Sequence, residues 1–313
     1  MKKLFIFGNG FDCAHDLPTS YLDFRKFLIN ESQEVKSFYP ETYINKDGEV
    51  IADRKTTSKL LVNLIDETAG DDWGNFEEAM ARYNYLDFFE DLDIVEAIES
   101  PDDNEMFRVA ESRKILVEDL TKCVIEVKRL FKEWIDQVEL ITTPQKRFLK
   151  LFDESSLFLT FNYTETLEKI YDIKNSQICY IHGKHNGGIV VGHGENINPY
   201  EEETNKTFAI ADELFQLFNS LKKDVQQCYN KHFSFFQKLS AANVTDIFLF
   251  GGGVSKPDLF YLSEICKKVD TSKIIWHLTE YDEERGKNRY KKELIKQCGF
   301  KGSFGELIPE ENE

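Results

Sequence analysis

Lys3-Leu-Phe-Ile-Phe-Gly-Asn-Gly-Phe-Asp12 is the segment that indicates the class of fold most directly. Four consecutive apolar residues follow the lysine, and the run ends in a turn that contains two glycines. This pattern is typical of a strand that is buried on both faces and leaves its sheet through a tight turn. Since doubly wound sheets often begin in this way, the stretch predicts the first strand of an α/β sheet.

Short apolar runs of the same kind recur mainly in the second half of the chain. They predict five further strands, at Leu157–Phe161, Ile178–His182, Gly188–Gly192, Asp246–Gly251 and Ile274–Thr279. Helical patterns separate these runs, and strands that alternate with helices favour a parallel sheet. The expected fold class is therefore α/β with a parallel sheet.

The region between the first two predicted strands has a different character. Residues 25–150 are rich in Glu, Lys, Leu and Phe at the spacing of amphipathic helices, and residues 202–239 form a second helical stretch. We interpret the first of these regions as a large α-helical insertion. The sequence thus predicts a sheet domain made of residues 1–30 and 150–300, a helical insertion at 31–149 and an acidic C-terminal tail at 301–313.

Composition narrows the class of protein. The chain has 313 residues, of which 41% are hydrophobic, as expected for an ordered globular protein. It carries 39 Lys and Arg against 56 Asp and Glu, and the resulting net charge of −17 repels phosphate backbones, so we expect no nucleic-acid partner. The first apolar run is too short for a signal peptide, and none approaches the roughly 20 residues that span a bilayer. Six cysteines are scattered without a CxxC pair, which favours a reducing cytoplasm.

The glycine turn Gly8-Asn-Gly-Phe-Asp12 is the first candidate binding element. Glycines let a backbone approach a ligand closely, and the N–H groups of a following helix can hold a pyrophosphate. The dinucleotide fingerprint needs a third glycine where this chain has Cys13, so the match to that motif is partial. The alternative is a tight turn without a ligand. A second candidate loop is the triple glycine Gly251-Gly252-Gly253, which ends the predicted strand Asp246–Gly251.

Two polar side chains end later predicted strands. Asn162 can present its amide to ribose hydroxyls or to a water, since open α/β sheets bind ligands at the carboxyl ends of their strands, or it can cap the following turn. His182 can act as a general base near neutral pH, or it can be a structural histidine. A metal site of His182, His185, His193 and Glu195 has no supporting spacing, so we expect no metal.

These motifs together resemble the AbiH-like family of bacterial phage abortive-infection proteins. The segment Gly8–Phe24 is similar to the opening signature of that family, which reads GNGFD, His, Leu-Pro-Thr, an aromatic residue and Asp-Phe. Four further segments follow in the order of the family, at Asp72–Glu77, Phe161–Glu168, Ile181–Gly183 and Gly192–Gly194. The same order is more distantly similar to the sirtuin-like NAD-binding fold, which implies a sirtuin-like Rossmann-type sheet and a nucleotide-binding domain.

The resemblance implies NAD as the substrate or ligand. Asn162 and His182 would act on the nicotinamide ribose, and Asp12 would contact the ribose or the nicotinamide. Since the transition state resembles an oxocarbenium ion, a carboxylate such as Asp12 can also stabilise it. The implied cofactor-binding residues are Gly8, Asn9, Gly10, Phe11, His15, Asp23, Thr164, Gly183, Gly251, Gly252 and Gly253. Two departures from the patterns stand out: His15-Asp16 replaces the His-Gly of the family, and Gly252-Gly253 replaces side chains that touch the cofactor in sirtuins.

The implied function is antiphage defence by an NAD hydrolase that cleaves the bond between nicotinamide and ribose. The alternative is a catalytically silent module that senses a nucleotide or binds a partner. Protein deacylation is the weakest interpretation, because the scattered cysteines offer no four-cysteine zinc module. The implied partners are NAD or a related nucleotide, and either further copies of the chain in a homo-oligomer or a partner protein of the defence system.

Overall fold

The computed structural model describes residues 2–35, 41–71, 73–83, 85, 103–201, 209–252 and 255–309. The chain divides into two compact units. The first comprises Met1–Ser20, Ile135–Val190 and Asp224–Glu313, and the second comprises Tyr21–Trp134 and Val191–Lys223. The domain boundaries drawn from the sequence stay a prediction, because compactness does not show which segment is inserted into which domain.

The described residues form eight strands and thirteen α-helices. The strands are β1 (Lys2–Phe7), β2 (Thr42–Ile44), β3 (Val50–Ala52), β4 (Leu157–Thr160), β5 (Ile178–Tyr180), β6 (Val244–Phe250), β7 (Ile275–His277) and β8 (Ser303–Phe304). The helices are α1 (Gly10–Cys13), α2 (Tyr21–Glu31), α3 (Arg54–Asp66), α4 (Phe76–Ala79), α5 (Asp103–Asp136), α6 (Lys146–Leu151), α7 (Thr166–Tyr171), α8 (Ala211–Ser220), α9 (Val225–Lys231), α10 (Phe233–Ala241), α11 (Leu259–Lys268), α12 (Glu280–Glu284) and α13 (Lys287–Gln297).

The first unit is built on a six-stranded sheet with the order β5-β4-β1-β6-β7-β8. Every neighbouring pair of strands in it is parallel, which confirms the predicted α/β class with a parallel sheet. Numbered along the chain, the six strands lie in the order 3-2-1-4-5-6. The chain therefore builds outward from β1 on one side and then on the other, and the direction of building reverses between β1 and β6.

Both faces of β1 are buried, as the sequence predicts. Leu4 and Ile6 belong to one core cluster, which includes residues of α9, α10, α11 and α13. Phe5 and Phe7 belong to a second cluster, which includes residues of α1, α6 and α7. Because side chains of a strand alternate between faces, these two clusters fill the two sides of the sheet.

One predicted strand is wrong. Residues 188–192 form only an isolated antiparallel bridge between Ile189 and Gly183. Gly183 has a φ of +81°, and the amide of Gly187 donates to the carbonyl of Lys184, so the chain folds back on itself before it can enter the sheet. The sequence also missed β8, which lies within the predicted tail. Residues 310–313 of that tail lie outside the described residues.

The second unit is mainly helical, with α2, α3, α4, α5 and α8, and it also carries the antiparallel hairpin of β2 and β3, which the sequence did not predict. Its core is aromatic. The ring of Phe24 lies 5.2 Å from that of Phe131 and 5.4 Å from that of Phe76. Beside this core, the buried ammonium of Lys223 donates to Glu77 over 2.6 Å. The predicted helices at 58–65, 75–80 and 117–131 all fall within helices of this unit apart from their end residues.

Candidate functional site

The two predicted glycine loops meet at the carboxyl ends of β1 and β6. Gly8 N donates to Phe250 O (3.0 Å) and Gly10 N donates to Gly251 O (2.8 Å). A Cβ atom on Gly8 would lie 2.5 Å from the Cα of Gly252, and one on Gly10 would lie 2.7 Å from the Cα of Gly251. These glycines are therefore required by the contact between two backbones. Gly253, which the sequence assigned to the same loop, lies outside the described residues.

Several amide groups of the glycine turn are engaged in hydrogen bonds to backbone carbonyls. Phe11 N donates to Gly8 O, and Cys13 N donates to Asn9 O, in addition to the two bonds that join the loops. The helix that follows, α1, has only four residues. A pyrophosphate held by the amides of Gly8, Gly10 or Phe11 would have to displace these hydrogen bonds, so the predicted role of the turn in binding NAD stays a prediction.

The packing of the two loops leaves no room for a side chain at Gly251. This residue has a φ of +64°, and a Cβ atom there would lie 2.4 Å from Phe11 N. We expect Gly251→Ala to lower the free energy of unfolding by about 3 kcal/mol or more, since backbone strain and a steric clash add. Gly286→Ala is the matched control, because Gly286 has a φ of +65° with open space around it, and it should cost only about 1 kcal/mol. Urea denaturation measures both, and equal losses would contradict the close contact of the loops.

Asp12 is a buried carboxylate with two hydroxyl partners. It is 1% exposed, and it accepts hydrogen bonds from Thr164 Oγ1 (2.6 Å) and Thr166 Oγ1 (2.9 Å). Burial raises the pKa of Asp12 to about 6, against the lowering effect of Thr164, Thr166 and the neighbouring Asn162 amide. Asp12 thus titrates close to neutral pH, a property that clusters at functional sites.

Asn162 follows β4 and carries an unsatisfied amide. The residue is 6% exposed, and neither its side-chain nitrogen nor its side-chain oxygen has a hydrogen-bond partner among the described residues. The amide is near enough to favour the charged form of Asp12, but it does not reach the geometry of a hydrogen bond. The backbone N–H of Asn162 bonds to Thr160 Oγ1 (3.0 Å). Because neither polar atom of the side chain bonds to a described residue, the side chain makes no capping bond within this part of the structure.

A buried amide without partners is costly, and it calls for a ligand or a water. The structure brings Asn162 together with Asp12 and Thr164, since Thr164 follows Asn162 by two residues and donates to the Asp12 carboxylate. These three side chains come from the ends of β1 and β4, which are neighbours in the sheet. The sequence proposed the same three residues for one site.

His182 lies at the end of the neighbouring strand, β5. It is 2% exposed, and its Nε2 lies 3.3 Å from the hydroxyl of Tyr261 on α11. The ring also lies 5.6 Å from that of Phe161. Gly183 follows with its positive φ, and a Cβ atom there would lie 1.8 Å from Gly188 O. The glycine after the histidine is thus needed for the turn of the backbone itself.

Two other predicted site residues have structural contacts. His15 is 2% exposed, and its Nδ1 donates to Phe11 O (2.7 Å) while its Nε2 accepts from the hydroxyl of Tyr171 (2.6 Å). Asn9 donates its side-chain amide to Thr19 O (2.7 Å). These bonds hold the turn against its neighbours. Asp23 lies in the second unit, on α2, where it pairs with Lys26 at 2.8 Å.

A cavity of about 630 Å³ opens beside the two glycine loops, at the switch point of the sheet, which is the place between β1 and β6 where the strand order reverses. Of the predicted site residues, Gly10, Gly251 and Gly252 line it. The sequence missed the rest of its lining, which is Cys13, Ala14, Gln145, Arg147, Phe250, Thr279, Tyr281, Asp282, Lys287 and Lys291. We call it the switch-point cavity. Its position at the carboxyl ends of β1, β6 and β7 is where open α/β sheets bind ligands.

The wall of this cavity on the side of β7 contains a buried ion pair. Lys291 Nζ donates to Asp282 Oδ2 (2.7 Å), and the side chains are 7% and 9% exposed. Thr279 Oγ1 donates to the same carboxylate oxygen (2.6 Å) and caps α12. Burial lowers the pKa of Lys291, and the charge of Asp282 opposes that shift. The pair fixes an ammonium group at the cavity wall.

Comparison with protein families identifies the chain. The model of the family described as bacteriophage abortive infection AbiH matches residues 4–280. The chain belongs to the AbiH family. No curated protein and no solved structure matches this AbiH protein.

Among the helices of the described residues, none is long and apolar enough to cross a membrane, and no group of three or more His, Cys, Asp and Glu there could hold a metal ion.

The match to AbiH covers Asp12, Asn162, His182 and both described glycine loops, and it ends before α13. Lys287 and Lys291 therefore lie beyond the matched region. The sequence of this AbiH protein offers one signal for this wall of the cavity: Thr279 ends a predicted strand and Asp282 follows it, which is a position where site residues are expected. The lysines of α13 themselves look like the polar face of an ordinary amphipathic helix.

Proposed function

We propose that this AbiH protein defends bacteria against phage by cleaving the bond between nicotinamide and ribose in a nicotinamide dinucleotide. Its sheet would then be a Rossmann-type sheet of the sirtuin-like kind, a proposal that the strand order 3-2-1-4-5-6 and the cavity at the switch point support. The observation that carries the proposal is the unsatisfied, buried amide of Asn162 beside a carboxylate whose pKa is raised to about 6.

The proposed reaction needs little acid catalysis. The bond between ribose C1′ and the nicotinamide nitrogen breaks, its electron pair stays with nicotinamide, and nicotinamide leaves as a neutral base. Asn162 holds the ribose and the attacking water, and His182 accepts the proton that the water loses. Asp12, ionised above its pKa, stabilises the oxocarbenium-like transition state. The new bond joins the water oxygen to C1′, and the products are ADP-ribose and nicotinamide.

Release of nicotinamide by the purified full-length protein tests this proposal. Chromatography would follow nicotinamide from NAD and, separately, from NADP. We expect Asn162→Ala to reduce the rate by about 100-fold, since a mispositioned reactant costs a factor of that order. The melting temperature should be unchanged or higher, because the substitution removes an unsatisfied buried polar group.

The control for this experiment is Asn175→Ala, which makes the same truncation at an exposed residue of the first unit and should change neither rate nor melting temperature. A folded wild-type protein, alone or in its native assembly, that releases no nicotinamide from either dinucleotide would overturn the hydrolase proposal. A drop in melting temperature for Asn162→Ala would instead assign the residue to the structure of the turn.

A binding module without hydrolysis is the second candidate function, and one observation favours it. The amides of Gly8, Gly10 and Phe11 in the glycine turn donate to backbone carbonyls, so this part of the turn is organised for contact with the other loop. In this case, the AbiH protein would sense a nucleotide and pass the signal through a homo-oligomer or a partner protein. Calorimetry distinguishes the two functions, because binding of NAD, NADP or ADP-ribose without any turnover would indicate the module.

A further inference from the structure

We propose that the switch-point cavity recognises a phosphate monoester on a nucleotide, so that a phosphorylated dinucleotide such as NADP is bound in preference to NAD. This inference rests on the proposed function only in that the ligand is a nucleotide. It assigns to the cavity a group that NAD does not have, since NAD carries a pyrophosphate and no phosphate monoester.

Charge is the first argument. Among the described residues, three cationic side chains line the cavity, from Arg147, Lys287 and Lys291, against one carboxylate, that of Asp282. The chain as a whole has a net charge of −17, so this concentration of cations is opposite to the background. The glutamates of α12, at 280, 283 and 284, do not line the cavity. A surface with this local excess attracts an anion, and a phosphate monoester has a charge of about −2 near neutral pH.

The buried ammonium of Lys291 is the second argument. Asp282 is its only hydrogen-bond partner among the described residues, although an ammonium group has three N–H donors. A charged group that is 7% exposed and still has unused donors is suited to a further acceptor from a ligand in the cavity. Phosphate oxygens are such acceptors. Because Asp282 holds the ammonium in place, little entropy is lost when a ligand binds.

Arg147 and Lys287 are the other two cationic side chains of the cavity lining. Arg147 donates to Gln145 Oε1 (2.8 Å) and to Pro309 O (3.1 Å), and its guanidinium lies 4.8 Å from the centre of the Phe250 ring. Its position is therefore fixed. Lys287 is exposed, and its ammonium makes no hydrogen bond or ion pair with another described residue, so it can close over a bound anion.

The third argument separates a monoester from a pyrophosphate. Dinucleotide pyrophosphates are held chiefly by the N–H groups of a glycine turn and a helix start. Here, the amides of Gly8, Gly10 and Phe11 already donate to backbone carbonyls, and the helix that starts at this turn, α1, has only four residues. The anion-binding capacity of the cavity thus lies in side chains of α13 and of Arg147. Phe250 and Tyr281 give the same cavity aromatic surface, which suits a ligand with a ring.

Calorimetric titration of the full chain with NADP and with NAD tests the inference. We expect wild-type protein to bind NADP at least about tenfold more tightly than NAD, since charge-assisted hydrogen bonds to the extra phosphate favour it. Lys287→Gln should reduce the NADP affinity and leave the NAD affinity unchanged, so that the preference falls towards one. Titrations with 2′-AMP, 3′-AMP and 5′-AMP, against adenosine, would identify which monoester position the cavity recognises.

Lys296→Gln is the matched control, because Lys296 lies on the same helix, does not line the cavity and loses the same charge. It should keep the preference for NADP. Lys287 is exposed, so its substitution should leave the fold intact, and melting temperatures verify this. The inference would be overturned if the wild type bound NADP and NAD equally or bound neither. It would also be overturned if Lys287→Gln lost affinity equally for both, because the cations would then hold the pyrophosphate.

These outcomes separate the inference from the proposed function. A preference for NADP that disappears in Lys287→Gln supports the inference even if no nicotinamide is ever released. Release of nicotinamide at equal efficiency from NAD and NADP, with equal affinities, supports the hydrolase and overturns the inference.

Discussion

Between pH 4 and pH 7, the wild-type protein is expected to lose about 2 kcal/mol of unfolding free energy through Asp12 alone, and Asp12→Asn should abolish that loss. Burial raises the pKa of Asp12 from 3.8 to about 6 in the folded protein. The folded state therefore binds its proton more tightly than the unfolded state does. The stability from this proton is fully present below pH 3.8 and is lost as the pH rises through 6. A tenfold difference in proton affinity between the two states corresponds to about 1.4 kcal/mol.

Urea denaturation of both proteins at pH 4, 5, 6 and 7 measures the effect, because other groups titrate alike in the two. Asp153→Asn provides a control of opposite sign. Burial raises the pKa of Asp153, but its hydrogen bonds from Ser155 and Ser156 and the charge of Lys3 lower it below its ordinary value. That residue stabilises the fold above its unfolded pKa and loses this effect as the pH falls. If the difference between wild type and Asp12→Asn is constant over the range, Asp12 does not have a raised pKa.

A carboxylate that reduces stability at neutral pH needs an explanation. Thr164 and Thr166 hold Asp12 by hydrogen bonds, and these bonds compensate for only part of the desolvation. Asn162, whose amide has no hydrogen-bond partner among the described residues, lies in the same place. Two unfavourable groups side by side, at the carboxyl ends of β1 and β4, are what a site organised for a bound ligand would contain.

The sequence was sufficient to predict the central strand and the class of sheet. The run Leu4–Phe7 is apolar at every position, which is typical of a strand covered on both faces, and the structure confirms it. The antiparallel bridge of Ile189 was predicted to be a strand because Ile-Val-Val has a strong preference for strands. The turn at Lys184–Gly187 overrode that preference, and this depends on tertiary context.

The role of the glycines was harder to predict, because two different structural requirements select glycine at the same position. A glycine that admits a ligand and a glycine that admits another backbone look identical in a sequence. Gly8 and Gly251 are separated by more than 240 residues, so their contact emerges only from the parallel pairing of β1 with β6. The pair of Asp282 and Lys291 depends similarly on the turn at Gly286, which brings α12 and α13 together.

Replacing His182 by alanine is expected to reduce nicotinamide release by about 100-fold to 10,000-fold, which is the range for loss of a general base. For the ring to accept a proton through Nδ1, the Nε2 must carry hydrogen and donate it to the Tyr261 oxygen, 3.3 Å away. Tyr261 is thus a positioning residue. Tyr261→Phe should cause a smaller loss of rate and should also shift the pH profile, because a buried Nε2–H would be left without that acceptor.

His277→Ala is the control for this prediction, since His277 bonds to Asp246 (3.0 Å) and stacks on Phe248 at the sheet, away from the proposed chemistry. It should retain the rate. Bacteria that carry each variant can be challenged with phage, and plaquing should rise for His182→Ala and stay at the wild-type level for His277→Ala. Full protection and full nicotinamide release by a folded His182→Ala protein would remove His182 from the mechanism. If Tyr261→Phe keeps the wild-type pH profile while His182→Ala is inactive, the His182 ring accepts the proton without the Tyr261 hydroxyl, and Tyr261 is not a positioning residue.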